Sequence, residues 1–494
     1  MSECKKEEGM KFDILKAVAG DGATARLGRL VLPKRQAVET PNFFTITSRG
    51  VVPHLTPDTI ARYCQFPGAY LAMEDSAAKI PAQDGKRLHA FTALPSSSIT
   101  ILGPRRTPAV KASIGNSDTF IQIFTSNGFQ PLTNPSYIAS ITNLKPDIAI
   151  PLADMHYVAA AITSPQAKGV RRMCERTEDW MSELHKSLDL ADLRASNTSI
   201  FAPTLPAPHS VQWEYLGRLS GDLLDKLSGL AVYDVDILPD LSSYPSLLPL
   251  PRLSLDVPLN PHEILRQVSL GIDIFLVPFL NAVSDAGVAM SFTFPPPPAA
   301  PQGETTTTTA DGTDLLPLGI DLTEAEHATA LAPLTEGCTC HACTTHHRAY
   351  LHHLLNAREM LAWTLLQLHN HHIMTQFFNG VRTSLAAGAE QFEEDCRAFG
   401  RAYEPSLPVG MGTRPRARGY HFKSGHAAER RNKVTWKLLQ EGQTTKQGME
   451  DVVAVLEEKL ARDQMETPVV PGDEVDAAEL VREGLGQVDI ERRE

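Results

Sequence analysis

From residue 12 to residue 294 the chain alternates short apolar runs with turns and amphipathic stretches. Asp21-Gly22 marks a turn, followed by a strand at 27–32 and by Thr40-Pro41-Asn42-Phe43-Phe44. Leu55-Thr56-Pro57-Asp58 opens a helix. Thr56 is suited to cap it and Pro57 to take its first position, where a missing N–H costs nothing. Further apolar runs predict strands at 148–152, 229–232, 253–255, 272–277 and 288–294, with a helix at 261–270. Strands alternating with helices over about 280 residues predict an α/β fold. The expected sheet is parallel with crossover helices, either open or closed into a (β/α)8 barrel. Residues 1–294 form this part.

Three stretches break the rhythm. Residues 295–329 begin with a proline run and continue through Glu304 and five threonines, a composition with nothing to bury and therefore expected to be disordered. Residues 405–438 are basic: Arg414, Arg416, Arg418, Lys423, Arg430 and Arg431 are interleaved with Tyr420, Phe422 and Trp436. Such a run can follow a phosphate backbone and stack on bases, which makes these six residues the candidate RNA contacts. Its plainer reading is a basic linker that pairs with the acidic tail. That tail, 439–494, contains one candidate helix at 449–462 and is otherwise expected to be disordered.

Residues 330–404 carry the densest chemistry. Cys338-Thr339-Cys340-His341-Ala342-Cys343 places three thiols within six residues, and His369 follows on a helical stretch. Thiolates and imidazole are the ligands Zn²⁺ prefers, and four close a tetrahedral structural site without an open position. The candidate ligands of one structural Zn²⁺ are therefore Cys338, Cys340, Cys343 and His369. The cysteines are read as lying in a loop. Asn356-Ala357-Arg358-Glu359 reads as a capping box opening the helix, with Leu361, Leu365 and Leu368 on its apolar face. His341, His346, His347, His352, His353, His371 and His372 are expected on helix surfaces in solvent.

Bulk composition adds bounds. At 494 residues and 42% hydrophobic content, the chain can fill a large core. A formal net charge of −12 argues against non-specific coating of nucleic acid. Seven cysteines, three of them clustered, fit a reducing compartment. The charged stretch 1–11 lacks an apolar segment, and no run approaches the ~20 apolar residues of a membrane span. A soluble, cytoplasmic protein without integral membrane association is expected.

The cysteine element has a wider context. Cys-x-Cys-x-x-Cys followed by Arg348-Ala349-Tyr350-Leu351-His352-His353-Leu354-Leu355, Glu359 and His369-Asn370 resembles the zinc element of the queuine tRNA-ribosyltransferases, the tRNA-guanine transglycosylases. The run from Asp21-Gly22-Ala23 to Gly28, then Thr40-Pro41-x-Phe43 and Leu55-Thr56-Pro57, is similar to that family's opening strands. Gly229-Leu230-Ala231-Val232 and Gly271-Ile272-Asp273-Ile274-Phe275 match two later strands. The resemblance covers about residues 10–160, 225–295 and 330–404. It implies a TIM-like barrel with an inserted zinc-binding subdomain, and a reaction that replaces wobble guanine in tRNA with queuine or its precursor. One Asp attacks the ribose and a second handles protons.

Both carboxylates are missing here. Where the family shows Gly-Ile-Asp-Met-Phe-Asp, this chain has Leu276 at the nucleophile position, and Asp273 is the counterpart of a structural Asp. After Leu88-His89-Ala90-Phe91, the acid/base position falls near Ile101, while Ser126-Asn127-Gly128-Phe129-Gln130 is a decoy without a base. Leu152-Ala153-Asp154 has Ala at one of two base-recognising acids, and Tyr233 stands where the family has Gly in the base pocket. The resemblance therefore implies no catalytic residues. It implies a silent subunit that pairs as a heterodimer with a catalytic subunit of queuine tRNA-ribosyltransferase and helps to position tRNA. By resemblance, such a subunit also associates peripherally with the mitochondrial outer membrane. Two readings compete: an active transglycosylase using Asp75, Asp154 or Asp234, and a free-standing zinc module that binds nucleic acid.

Overall fold

A computed structural model describes residues 9–20, 23–64, 66–76, 88–110, 115–125, 128–155, 167–297 and 315–412. Eight strands close a parallel barrel in sequence order: β1 Asn42–Ile46, β2 Gly68–Ala72, β3 Ile99–Gly103, β4 Ile148–Ala149, β5 Ser199–Thr204, β6 Leu227–Val232, β7 Arg252–Ser254 and β8 Ile274–Leu276. Closure comes from β8 pairing with β1 in the register Ile274–Asn42, Phe275–Phe43 and Leu276–Phe44. The first strand meets the last, so the barrel has no open edge. Between the sequence alternatives of open sheet and barrel, the barrel is the outcome.

Period-two alternation sorts side chains to the two faces. Phe44, Ile46, Tyr70, Ile99, Ile101, Ile148, Ile150, Phe201, Ala231, Leu253, Ile274 and Leu276 form one buried cluster inside the barrel. Leu30 and Val38 join it from an antiparallel three-stranded sheet, Lys11–Gly20, Ala23–Val31 and Val38–Thr40, and Leu32 from just beyond the second strand. That sheet leads directly into β1, so it closes the barrel at the strands' N-terminal ends. The opposite faces of the strands meet helices such as His209–Ser220 and Pro261–Ser269. Thr56 caps the helix Pro57–Tyr63 by accepting from Thr59 N, as its sequence position suggested.

Two expectations change. The last predicted strand, 288–294, is not a barrel strand. Only Val288–Met290 is extended, and it pairs antiparallel with Gly319–Asp321. The eighth place is already filled by β8, whose second edge is taken by β1. The Pro/Thr-rich insert is also narrower than 295–329. Residues 315–329 carry the strand Gly319–Asp321 and the 3-10 turn Ala325–Thr329, and Leu316 bridges to Tyr403. Residues 298–314, with the threonine run, lie outside the described residues.

Four helices follow among the described residues: α1 His341–Thr345, α2 Arg348–Asn356, α3 Met360–Ala387 and α4 Ala389–Ala402. The helix α3 spans two cores. Its first half packs with Leu334, Leu351 and Leu355 of the cysteine-bearing lobe. Its second half places Phe377, Phe378, Val381 and Leu385 in the core outside the barrel. No described helix is long and apolar enough to cross a membrane.

Candidate metal centre and barrel mouth

Cys340 is the N-cap of α1, and its Sγ accepts from Cys343 N at 3.4 Å. The cysteines thus straddle a one-turn helix, where the sequence suggested a plain loop. His369 lies on α3, completely buried. Its Nδ1 stands 3.7 Å from Cys338 Sγ, 3.5 Å from Cys340 Sγ and 3.4 Å from Cys343 Sγ. The four ligand atoms all lie within 4.8 Å of one another, a group that can hold a metal ion. On the far side of the ring, Nε2 is 2.8 Å from Met290 O. A hydrogen donated there fixes the tautomer and turns the Nδ1 lone pair toward the sulfurs. Asn370 anchors the same strand: Met290 N donates to its Oδ1 at 2.8 Å, and its Nδ2 donates to Ser284 Oγ and Val288 O.

The metal-free group shares protons. Hydrogen bonds from Cys340 and Cys343 hold the Cys338 thiol below the usual range, and the Cys338 sulfur pushes Cys340 up. Burial pulls His369 down, but hydrogen bonds to Cys338 and Cys343 outweigh it and raise the imidazole to about 9. A cation taken into the group releases these protons, so binding weakens as pH falls.

Three expectations around the centre fail. Asn356 ends α2, and Glu359 is the N-cap of α3 without a side-chain capping bond, because Arg358 at φ 57° turns the chain between two helices. Leu361 is exposed, whereas Leu365 and Leu368 are buried. His371 is buried between Phe43 and Phe66, with ring centroids at 5.8 and 4.7 Å, and burial lowers its pKa to about 3. Of the other neighbouring histidines, His353 is exposed and the rest are half-buried.

At the other candidate site, Leu276 and Ile101 point into the barrel and are fully buried among apolar neighbours. Asp273 lies on the opposite face. It accepts from Arg26 Nε at 3.0 Å and Nη2 at 2.6 Å, and from Arg252 N at 2.7 Å. This carboxylate is tied to the sheet that closes the N-terminal end. The mouth beyond β2, β6 and β7 holds a cavity of about 130 Å³, lined among others by Tyr70, Arg105, Tyr233, Leu255 and Asp256. Ligand pockets run from about 300 Å³ upward, so this cavity is small for a nucleoside. Tyr70 occupies the space by donating its hydroxyl to Arg105 O, and Gly103 permits it, since a Cβ there would overlap that hydroxyl.

The displaced carboxylates are committed elsewhere. Asp75 Oδ1 pairs with Arg106 at 3.4 Å, and its Oδ2 accepts from Arg49 N. Asp154 accepts from Asn116 at 2.6 Å and Arg176 at 3.0 Å. Asp234 caps the turn Val235–Ile237 by accepting from Asp236 N. Sequence reasoning missed Asp256, the one acid among the described residues lining the cavity, which burial first and then Asp234 and Asp236 hold above the usual carboxylate range. Its signal was its place just past the C-terminal end of a barrel strand, where catalytic groups of this fold sit. No second acid lines the cavity with it among the described residues. The candidate RNA contacts from Arg414 to Arg431 lie outside the described residues.

Comparison with known proteins agrees with this geometry. A profile of the family described as Queuine tRNA-ribosyltransferase matches residues 21–405. The chain is 36% identical over 418 residues to queuine tRNA-ribosyltransferase accessory subunit 2 of Schizosaccharomyces pombe, covering 82% of this chain and 88% of that protein. To the protein of the same name from Danio rerio it is 27% identical over 413 residues, covering 76% and 96%.

Proposed function

Because this chain belongs to the queuine tRNA-ribosyltransferase family, we propose that it is that system's non-catalytic subunit. It docks a catalytic subunit as a heterodimer and helps to hold tRNA while its partner exchanges wobble guanine for queuine. One observation supports the reading: Leu276, read at the nucleophile position, and Ile101, near the position read for the acid/base, are buried in an apolar lumen beside a cavity of about 130 Å³. Covalent exchange needs a carboxylate at each. Guanine exchange into tRNA tests the proposal, with the chain alone and then mixed with a catalytic subunit. Silence alone and activity in the mixture are expected. Exchange by the chain alone would overturn the reading.

The ion we assign to Cys338, Cys340, Cys343 and His369 is zinc. Bonds of about 2.3 Å to sulfur and 2.0–2.1 Å to nitrogen give tetrahedral S–N edges of about 3.6 Å, and the three S–N distances run from 3.4 to 3.7 Å. Four protein ligands leave no position for substrate, so its role is structural. Beside it Tyr63, His341, His346 and Tyr350 form a continuous row, with centroids 4.1, 5.9 and 5.0 Å apart. Exposed Met360 and Leu361 begin α3 in the same lobe. We assign docking of the catalytic subunit to this face. Tyr350→Ala is expected to weaken association by ~2 kcal/mol, about 30-fold, read by calorimetry. An unchanged affinity would place the docking face elsewhere. Contact of Arg414, Arg416, Arg418, Lys423, Arg430 and Arg431 with RNA, and a cytoplasmic location, complete the proposal.

A further inference from the structure

A second set of metal-ligating side chains lies in the same lobe, away from the thiols. The 3-10 turn Ala325–Thr329 follows the strand Gly319–Asp321 and packs against α2. Its backbone holds residues 324 and 327 together, with His327 N donating to Glu324 O at 3.1 Å. Glu324, Glu326 and His327 bring two carboxylates and an imidazole within 4.8 Å of one another.

The imidazole makes this more than an acidic cluster. His327 is 3% exposed, and its Nε2 is enclosed without a hydrogen-bond partner. Leaving such a buried group unsatisfied is unfavourable. Glu326 Oε1 stands 3.5 Å from it. A charged hydrogen bond between the two would be about 2.7–2.9 Å. Two ligands of one cation, each about 2.0–2.2 Å from it, stand about 3.0–3.5 Å apart. An ion between Nε2 and the carboxylates would satisfy the ring and neutralise both acids.

We propose that Glu324, Glu326 and His327 form a second metal site, which takes one divalent first-row transition-metal cation such as Zn²⁺, Mn²⁺ or Co²⁺. One nitrogen and carboxylate oxygens suit such ions, whereas thiolates select zinc. Three protein ligands leave positions open to water or to a group from a partner. The ion therefore exchanges, unlike the one enclosed by three sulfurs and His369. This site is independent of whether the chain is catalytically silent.

The test titrates the zinc-loaded full chain with Mn²⁺, followed by electron paramagnetic resonance. One Mn²⁺ per chain is expected, with nitrogen coupling from an imidazole and no loss of zinc. The double variant E324Q/E326Q should weaken binding at least tenfold. Both side chains are exposed, so folding should survive, and an unchanged zinc content verifies it. His327→Gln should remove the nitrogen coupling. No saturable binding would overturn the proposal. So would binding without nitrogen coupling or indifferent to E324Q/E326Q, which is an adventitious ion only.

Discussion

Replacing Cys340 with serine is expected to strip the chain of its zinc, unfold the lobe around it and abolish association with the catalytic subunit. Cys340 is 7% exposed and takes part twice in the centre: its Sγ faces His369 Nδ1, and it caps α1 by accepting from Cys343 N. A hydroxyl is a poor substitute for a thiolate on zinc, although serine can still cap α1, so the loss falls on the metal. Structural zinc contributes about 10–16 kcal/mol in isolated finger peptides, of the same order as the ~5–15 kcal/mol net stability of a domain. The lobe's own core is small, built from residues such as Leu334, Leu351, Leu355, Trp363 and Leu366. The barrel should survive, because the second half of α3 is held by Phe377, Phe378 and Val381 in a separate core. Elemental analysis should therefore fall from one zinc per chain to none, and limited proteolysis should cut within 330–370 while sparing the barrel. Size-exclusion chromatography with light scattering should show no heterodimer. A metal-free variant that still pairs would separate the zinc from the docking surface.

Leu276→Asp restores a carboxylate to the nucleophile position, yet it is expected to destabilise the barrel without producing exchange. The side chain points into a lumen lined by Phe44, Ile101, Ile148, Phe201 and Ile274, and residue 276 is 1% exposed. A carboxyl buried without a partner has its pKa raised by up to about 3–5 units; at pH 7 only the roughly 3 units above the unfolded value count, which at 1.36 kcal/mol per unit is about 4 kcal/mol. The sign sets the pH dependence. An aspartate of the unfolded chain ionises near 3.9, so ionisation favours unfolding above that pH, and the loss grows as pH rises toward the folded-state value. Urea unfolding should show the larger deficit at pH 7 and a smaller one at pH 5. Exchange should stay absent because Ile101 supplies no acid/base and the cavity beside Tyr70 and Tyr233 is small. Activity from this single change would place the silence in one side chain and leave the occluding tyrosines without a role.

The sequence by itself determined what depends on short-range pattern and residue chemistry. Apolar runs located the barrel strands near 148–152, 229–232, 253–255 and 272–277, because strand composition and turn residues act locally, whereas Gly68–Ala72, Ile99–Gly103 and Ser199–Thr204 went unread. Thr56 and Pro57 marked a helix start for the same reason. Three thiols and a histidine announced a metal group, since few other chemistries need that combination. Leu276, and Ile101 or a neighbour, where the resemblance places carboxylates, are the grounds for the proposed silence, because no backbone placement gives an alkyl chain a lone pair.

Tertiary structure decided what depends on partners far along the chain. Val288–Met290 has the pattern of a barrel strand, but β1 had already closed the barrel against β8, so it pairs with Gly319–Asp321 instead. Asn356 has the chemistry of a cap, yet Arg358 in the left-handed region makes it the end of one helix and leaves the next to start at Glu359. His371 looks like a surface histidine until Phe43 and Phe66, some three hundred residues earlier, enclose it. Tyr70 closes the mouth only because Gly103 on the neighbouring strand leaves room for its ring. Burial and enclosure are properties of assembled surfaces, and no local window of sequence contains both sides of such a contact.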